Sequence, residues 1–260
     1  MSDLTAGVFD APKEFKPIRG KVASPWKALI YGQPGVGKSS LANQAPGVFF
    51  LDLENGLNRI DCWKTPERLL TYEDIVSWMK WAIENPEVKT IAIDTIDEME
   101  KILAAKALAL YNEDVRSPVS TLADIPYGRG ADLLVSEWRK FIEIIERVVA
   151  RGKNLLLIGH EQVQKFENPS DANYDFYTVN LHKKAAPVVI AKLDAVLFAR
   201  FENIVKGAVD NKGKELPKGK AVSTGQRVLV TTQGASWIAK NRMNLEETMP
   251  MTGEVFARMS

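Results

Sequence analysis

The stretch that decides the fold passes from a short apolar segment into a glycine-rich turn and reads Ala28-Leu29-Ile30-Tyr31-Gly32-Gln33-Pro34-Gly35-Val36-Gly37-Lys38-Ser39-Ser40. The apolar residues 28–31 predict a buried strand, and the residues from Lys38 onward predict a short helix. Between them, three glycines allow the backbone to curl so that successive N–H groups point inward at an anion. This order of strand, turn and helix indicates a phosphate-binding loop.

Residues 32–39 match the P-loop pattern G-x-x-x-x-G-K-S at every defined position, in the required context of a preceding strand and a following helix. The residues expected to bind ATP are Gly32, Gln33, Pro34, Gly35, Val36, Gly37, Lys38, Ser39 and Ser40. Lys38 is expected to reach the β- and γ-phosphates, and the Ser39 hydroxyl to bind Mg²⁺. A chance glycine turn is the alternative, which the flanking elements disfavour.

Acidic residues follow two other apolar segments. Asp94 ends Thr90-Ile91-Ala92-Ile93-Asp94 and is predicted as the second Mg²⁺ anchor, with a helix N-cap as the alternative. Glu54 lies just beyond the segment 48–53, at the sheet edge where ligands of open α/β sheets bind. We predict that Glu54 activates water, with Asp52 as the competing candidate and a solvated loop acid as the alternative.

Apolar strands alternating with helical patterns predict an α/β fold with a mainly parallel central sheet flanked by helices. Residues 1–24 are interpreted as an extended arm, and 25–260 as one domain with a basic C-terminal β-hairpin over about 195–235. The clearest helix is predicted over 132–151. The stretches 112–130 and 161–186 are predicted to be long loops.

Composition limits the class of protein. The 260 residues, 45% of them hydrophobic, can bury one generous core. The sequence has no run of eighteen apolar residues and no secretory pattern at its amino terminus, so we expect no membrane span and a cytoplasmic location. The single cysteine and two histidines disfavour disulfides and His/Cys metal sites.

Charge is distributed unevenly along the chain. The net charge is +1, but residues 200–242 contain nine Lys or Arg against three Asp or Glu, a local charge of +6. A basic C-terminal third on an acidic body is typical of a chain that meets a polyanion on one face. A solvated Lys-rich hairpin is the alternative.

The order of these elements resembles the RecA-like recombinase core. Residues 49–57, Phe-Phe-Leu-Asp-Leu-Glu-Asn-Gly-Leu, look like the family's strand whose glutamate polarises water, which implies this role for Glu54. Asp94 matches the family's magnesium aspartate. His160 stands near the place of the family's γ-phosphate sensor, with Gln162 just beyond, and a purely structural histidine is the alternative.

The compact size looks most like the short phage-encoded ATPases that anneal or recombine single strands, over about residues 26–249. This resemblance implies a RecA-like P-loop NTPase fold, a ring or filament of identical subunits in the host cytoplasm, and DNA loops at 112–130 and 161–186. A single-strand-binding protein is a further expected partner. The second loop combines aromatic with cationic residues, as stacking on single strands requires. The DNA-binding candidates are Arg129, Lys165, Lys183 and Lys184.

The resemblance also implies a cation that reaches the γ-phosphate from a neighbouring subunit, for which the candidates are Lys240, Arg242 and Arg200. Other interpretations of the sequence stay open. These are a helicase, loader or packaging ATPase working through a protein partner, a small-molecule phosphotransferase with Arg116 or Arg129 on a lid, and a module that binds ATP without turnover.

Overall fold

A computed structural model describes residues 19, 20, 22, 24–166, 174–206 and 220–259 of the chain. The predicted arm over 1–24 lies almost wholly outside these residues. The strands are β1 Lys27–Gly32, β2 Val48–Asp52, β3 Thr90–Asp94, β4 Asn154–Phe166, β5 Tyr174–Val179, β6 Ala195–Lys206, β7 Lys220–Val230, β8 Lys240–Asn241 and β9 Thr248–Pro250. The helices are α1 Lys38–Ala42, α2 Tyr72–Glu84, α3 Ile96–Glu113, α4 Arg129–Ala150, α5 Ala186–Lys192 and α6 Glu254–Met259.

The central sheet has the strand order β2-β3-β4-β1-β6-β7-β9. Its first five members run parallel to one another, β7 runs antiparallel to β6, and β9 runs antiparallel to β7. β4 therefore lies between β1, which leads into the glycine-rich turn, and β3, which ends in Asp94. The carboxyl ends of the parallel strands share one edge, and this edge carries the predicted site. The mainly parallel α/β sheet is as predicted.

Successive side chains of each strand point to opposite faces of the sheet, so an apolar core lies on each face. Leu29 and Tyr31 of β1 enter a core formed with α2, α3, α4 and α5, whereas Ala28 and Ile30 enter a core formed with α1 and α6. Because both faces of β1 are covered, its residues form a continuous apolar run. The sheet is a middle layer that holds the glycine-rich turn at its edge.

The helix α4 closely follows its predicted pattern. It begins at Arg129 rather than residue 132, and its apolar stripe, including Trp138 and Phe141, is buried against the sheet. The Trp138 indole Nε1 donates to Glu100 Oε2 of α3 at 2.9 Å, which satisfies a polar group that the core would otherwise leave without a partner.

The loop prediction for 161–186 is wrong. β4 continues to Phe166 and pairs antiparallel with β5, so this stretch is mainly a β-hairpin, followed by α5 from Ala186. The loop prediction for 112–130 is also too long. α3 ends at Glu113, α4 begins at Arg129, and short 3₁₀ turns occupy Leu122–Asp124 and Pro126–Gly128.

The predicted C-terminal hairpin is formed by β6 and β7, which pair from Phe198↔Val230 to Lys206↔Lys220 with one irregularity between Phe201 and Asn203. β8, β9 and α6 were not predicted, because they are short. Among the described residues, no helix combines the length and the apolar character needed to cross a membrane.

Candidate functional site

The glycine-rich turn closes against the backbone of β6. Gly32 is the last residue of β1 and pairs with Ala199, and a β-carbon built on Gly32 would lie 2.1 Å from the Ala199 carbonyl oxygen. Only glycine permits this approach of the two strands. Gly37 has φ of 100°, in the left-handed region that glycine adopts without strain. Val36, between them, is fully buried in the core beside α1, which anchors the turn.

Lys38 lies along the turn itself. It is only 6% exposed, and its Nζ donates to the carbonyl oxygens of Gly32 at 2.9 Å and Gln33 at 3.0 Å. Burial lowers the pKa of Lys38, while the carboxylates of Asp94, Asp97 and Glu54 oppose that shift. A cation held against the carbonyl oxygens of the glycine-rich turn in this way can meet phosphate oxygens bound there.

Ser39 and Asp94 form the predicted metal pair. The Ser39 hydroxyl donates to Asp94 Oδ2 at 2.6 Å, across the gap between α1 and the end of β3. The N-cap of α3 is Thr95, so the alternative N-cap role does not fall on Asp94. Burial raises the pKa of Asp94 to about 6. A hydroxyl and a carboxylate are hard oxygen ligands of the kind Mg²⁺ prefers, so these residues fit the ion and would hold it.

Glu54 and Asp52, the two candidates for water activation, occupy different environments. Asp52 is 2% exposed and accepts hydrogen bonds from the backbone N–H groups of Gly56 at 3.2 Å and Leu57 at 3.4 Å, with Lys64 Nζ 3.6 Å away. Its carboxylate therefore shapes the loop after β2. Glu54 instead lines the cleft beside the P-loop, so the geometry favours Glu54 over Asp52.

Three residues that sequence reasoning did not assign surround Glu54 and His160. The Thr95 hydroxyl donates to Glu54 Oε1 at 2.6 Å. His160 Nδ1 lies 3.7 Å from Glu54 Oε1 and 3.6 Å from Asp97 Oδ2, and the His160 backbone N–H donates to the same Asp97 oxygen at 2.9 Å. Glu161 follows His160 on β4, and burial raises its pKa while the nearby charge of Lys38 opposes that shift.

His160 and Asp97 each shift the pKa of the other toward its charged form. The interaction with the Asp97 carboxylate raises the pKa of His160 above its ordinary value, although burial opposes it. Burial by itself would raise the pKa of Asp97, but the nearby imidazole and the backbone N–H of His160 bring it below the ordinary value. Asp97 follows Asp94 by three residues in the first turn of α3, where an acid is typical of any helix, so its spacing alone gave no distinctive signal.

The cleft formed by these groups has a volume of about 320 Å³ and is lined by the P-loop together with Glu54, Asp94, Thr95 and His160. The structure thus brings together the P-loop, the two predicted Mg²⁺ ligands and the three predicted catalytic residues, Lys38, Glu54 and His160. Of the residues predicted to bind ATP, Val36 is buried in the core instead and does not line the cleft. The arrangement can neutralise phosphate charge and place a carboxylate and an imidazole beside it.

The DNA-binding candidates lie outside this cleft. Lys165 is exposed on β4 beyond His160, opposite Asp175 of β5. Lys183 and Lys184 lie in the turn before α5, and Lys184 Nζ forms an ion pair with Asp132 Oδ1 at 2.7 Å. Arg129 is exposed at the start of α4, one turn before Asp132. α4 and the turn before α5 therefore present cations on adjoining surfaces.

The three candidates for a cation acting on a neighbouring subunit lie in different places. Arg200 follows the residue paired with Gly32, its guanidinium lies 5.0 Å from the ring centre of Trp237, and its Nε has no hydrogen-bond partner among the described residues. Lys240 Nζ donates to the carbonyl oxygens of Ile190 and Ala191 at the end of α5. Lys240 and Arg242 both lie near the start of β6, away from the P-loop.

The sheet order, the P-loop and the acids on the neighbouring strands define a P-loop nucleoside triphosphatase with a RecA-like core. Comparison with protein families matches residues 24–243 to the AAA domain family AAA_24, and the chain belongs to this family. It is accordingly an ATP-binding ATPase domain.

Among solved structures, the chain is similar to the flagellar accessory protein FlaH from Methanocaldococcus jannaschii, with 13% sequence identity and a TM-score of 0.36. The match covers 88% of this chain and 85% of that one. No curated protein matches the sequence.

Proposed function

We propose that this ATPase acts on single-stranded DNA, as an oligomer of identical subunits that anneals or recombines strands in the manner of the short phage-encoded enzymes. ATP binding at the P-loop changes the conformation of the β4–β5 hairpin, and the hairpin and the neighbouring cationic turn contact the strand. The DNA in turn stimulates hydrolysis.

Within the cleft the residues divide the chemistry. Lys38 neutralises charge on the β- and γ-phosphates, and Ser39 and Asp94 would hold Mg²⁺, which when bound shields the phosphate oxygens. Glu54 orients the attacking water and accepts its proton, and the Thr95 hydroxyl holds the carboxylate through its 2.6 Å hydrogen bond. His160, whose pKa the Asp97 carboxylate raises, lies on the same side and is suited to sense the γ-phosphate.

The continuity of β4 is the observation that carries the proposal. The strand passes without interruption from the sheet, through His160 in the cleft, into the hairpin with β5. The His160 carbonyl oxygen accepts from the Asn180 backbone N–H at 2.8 Å, and Gln162 Nε2 donates to the carbonyl oxygens of Val179 and Leu181, each at 2.8 Å. A shift of His160 toward or away from phosphate is therefore transmitted directly to both strands of the hairpin.

The surface chemistry supports a nucleic acid as the ligand. Lys165, Lys183, Lys184 and Arg129 supply cations, and Tyr127, 98% exposed, is an aromatic face beside Arg129. Tyr127 has φ of 59°, a conformation that non-glycine residues adopt rarely and that is enriched at functional sites. Aromatic faces among cations are what sequence-tolerant binding of single strands requires.

A second candidate function is a helicase, loader or packaging ATPase that works through a protein partner. It is favoured by an aromatic cluster beside the edge strand β2, where Trp63 and Trp81 are 38% and 39% exposed and pack edge-to-face at 5.6 Å. Partly exposed tryptophans are enriched at protein–protein interfaces. A single-strand-binding protein is a partner that both functions accommodate.

Assembly is part of the proposal. Arg200, Lys240 and Arg242 remain candidates for a cation that reaches the nucleotide of a neighbouring subunit. Of the three, Lys240 has its ammonium engaged with two carbonyl groups, whereas Arg242 is exposed. We therefore expect Arg242→Ala to lower ATPase activity more than Lys240→Ala if the cation comes from this region.

The first experiment is phosphate release from ATP with and without single-stranded DNA, with Lys38→Ala as the inactive control. Stimulation by single strands that is lost in the control is the expected result. Turnover that single strands leave unchanged would refute the DNA-dependent function and favour the protein-partner alternative.

The second experiment tests the cationic turn. In a single-strand titration at several salt concentrations, the double variant Lys183→Ala/Lys184→Ala should bind more weakly, and its salt slope should fall by about 1.4, about 0.7 for each lost phosphate contact. A double variant at Lys80 and Lys101, exposed lysines of α2 and α3, is the matched control. An unchanged salt slope would show that Lys183 and Lys184 do not contact the DNA.

A further inference from the structure

Arg227 of β7 is directed toward the P-loop. It pairs with Phe201 of β6, two positions beyond Ala199, whose partner on β1 is Gly32. Because successive side chains of a strand alternate between faces, Arg227 shares a face with Leu229, which is buried in the core beside α1. The side chain therefore leaves the sheet on the side of the P-loop helix, at the edge where the cleft opens.

The guanidinium of Arg227 lies against the turn. A β-carbon built on Gly37 would lie 2.7 Å from Arg227 Nη1, so the guanidinium occupies the space next to the residue that precedes Lys38. This contact adds to the conformational reason for glycine at position 37, because any side chain there would displace the arginine.

The charge of Arg227 is not neutralised within the described part of the chain. The side chain is exposed, and among the described residues its guanidinium has neither an ion-pair partner nor a hydrogen-bond acceptor. By contrast, Arg68 pairs with Glu98 and Arg258 with Glu246 and Glu254. An arginine whose guanidinium lies beside Gly37 of the phosphate-binding turn has the planar donor geometry that recognises phosphate through two hydrogen bonds.

We propose that Arg227 is a nucleotide-binding residue that contacts the α- and β-phosphates from within the same subunit. The assignment to these two phosphates follows from its position, because the backbone N–H groups of a P-loop surround the α- and β-phosphates, whereas the lysine reaches toward the γ-phosphate. Arg227 therefore differs from the three candidates for a cation from a neighbouring subunit, and its contact is made with ADP as well as with ATP.

This inference rests on nucleotide binding at the P-loop and not on DNA as the partner. Titration calorimetry with ADP and Mg²⁺ tests it without turnover. Arg227→Ala should weaken ADP binding by about 10- to 100-fold, the loss expected for a hydrogen-bonded charge contact. Arg227→Lys should retain part of the affinity, since it keeps the charge but loses the two-pronged geometry. Arg139→Ala, an exposed arginine of α4 on the other side of the sheet, should bind ADP as the wild type does.

Thermal unfolding followed by circular dichroism separates binding from folding, and unchanged melting temperatures are expected because the Arg227 guanidinium has no hydrogen-bond or ion-pair partner in the described part of the chain. Wild-type affinity for ADP in Arg227→Ala would overturn the inference. A variant that loses ATP hydrolysis but keeps ADP affinity would also overturn it, since it would place the guanidinium at the γ-phosphate. If the wild-type chain itself bound no ADP, the nucleotide-binding function and this inference would fail together.

Discussion

Replacement of Gly32 by alanine tests the close approach on which the P-loop depends. The new β-carbon would lie 2.1 Å from the carbonyl oxygen of Ala199 and 3.1 Å from its carbonyl carbon. Both belong to backbone that is paired with β1 and cannot rotate away as a side chain can. The end of β1 and β6 must therefore separate.

The size of that displacement follows from the distance. β-carbons are essentially never found closer than 3.0 Å to another heavy atom, so the strands must move apart by about 1 Å. Overpacking of this kind costs about 1–3 kcal/mol of unfolding free energy. The displacement also moves the first residue of the P-loop, and a misplacement of about 1 Å at an active site lowers turnover by about 100-fold.

The measurements are the free energy of unfolding from chemical denaturation and the steady-state release of phosphate from ATP. Gly152→Ala is the matched control. Gly152 has φ of 83° at the end of α4, far from the cleft, and a β-carbon there meets nothing within 4 Å. The control should lose about 1 kcal/mol through backbone strain and keep its activity. If Gly32→Ala retained full activity, or if both variants lost activity equally, the close approach would not be what positions the loop.

Two further predictions concern the carboxylates and the imidazole of the cleft. Glu54→Gln should lower the rate of ATP hydrolysis by about 100-fold or more while leaving ADP affinity unchanged, and an active variant would contradict the assignment of Glu54 as the base. Asp52→Asn should chiefly lower the melting temperature, because it weakens the hydrogen bonds that shape the loop after β2. Asp97→Asn should lower the pKa of His160, measured by NMR of the imidazole protons. Because the folded-state pKa of His160 is raised above 6.5, its charge stabilises the fold below that pH, and this contribution is lost as the pH rises through the raised pKa. The variant should therefore show a flatter pH dependence of unfolding free energy as the pH rises above about 6.5, and an unaltered dependence would show that the pair does not control the imidazole.

The sequence determined the residues whose chemistry depends on local order. The P-loop needs its glycines, lysine and serine at fixed spacing between a strand and a helix, so the pattern of residues 32–39 was sufficient to identify it. Asp94 and Glu54 follow apolar strands, and parallel strands place their carboxyl ends at one edge of the sheet. The position of these two acids beside the P-loop was therefore also predictable. The α/β class followed from the same alternation of apolar segments and helices.

The β4–β5 hairpin could not be predicted in the same way. The outer residues of its strands are half-buried or exposed, with Val163 54% exposed, so they carry no alternation between a buried and a solvated face. The stretch was therefore interpreted as a loop. Its pairing depends on backbone hydrogen bonds between segments that the sequence does not mark.

Only the tertiary structure decided which side chains become neighbours across the chain. Asp97 accepts a hydrogen bond from His160, which lies 63 residues further along the chain. The hydrogen bond between Thr95 and Glu54 joins residues 41 positions apart. Arg227 reaches the P-loop because β6 lies beside β1 and β7 beside β6, an order set by burial of both faces of the sheet. No local spacing encodes such contacts, since they depend on how strands distant in the chain are ordered in the sheet and not on the residues that flank each group.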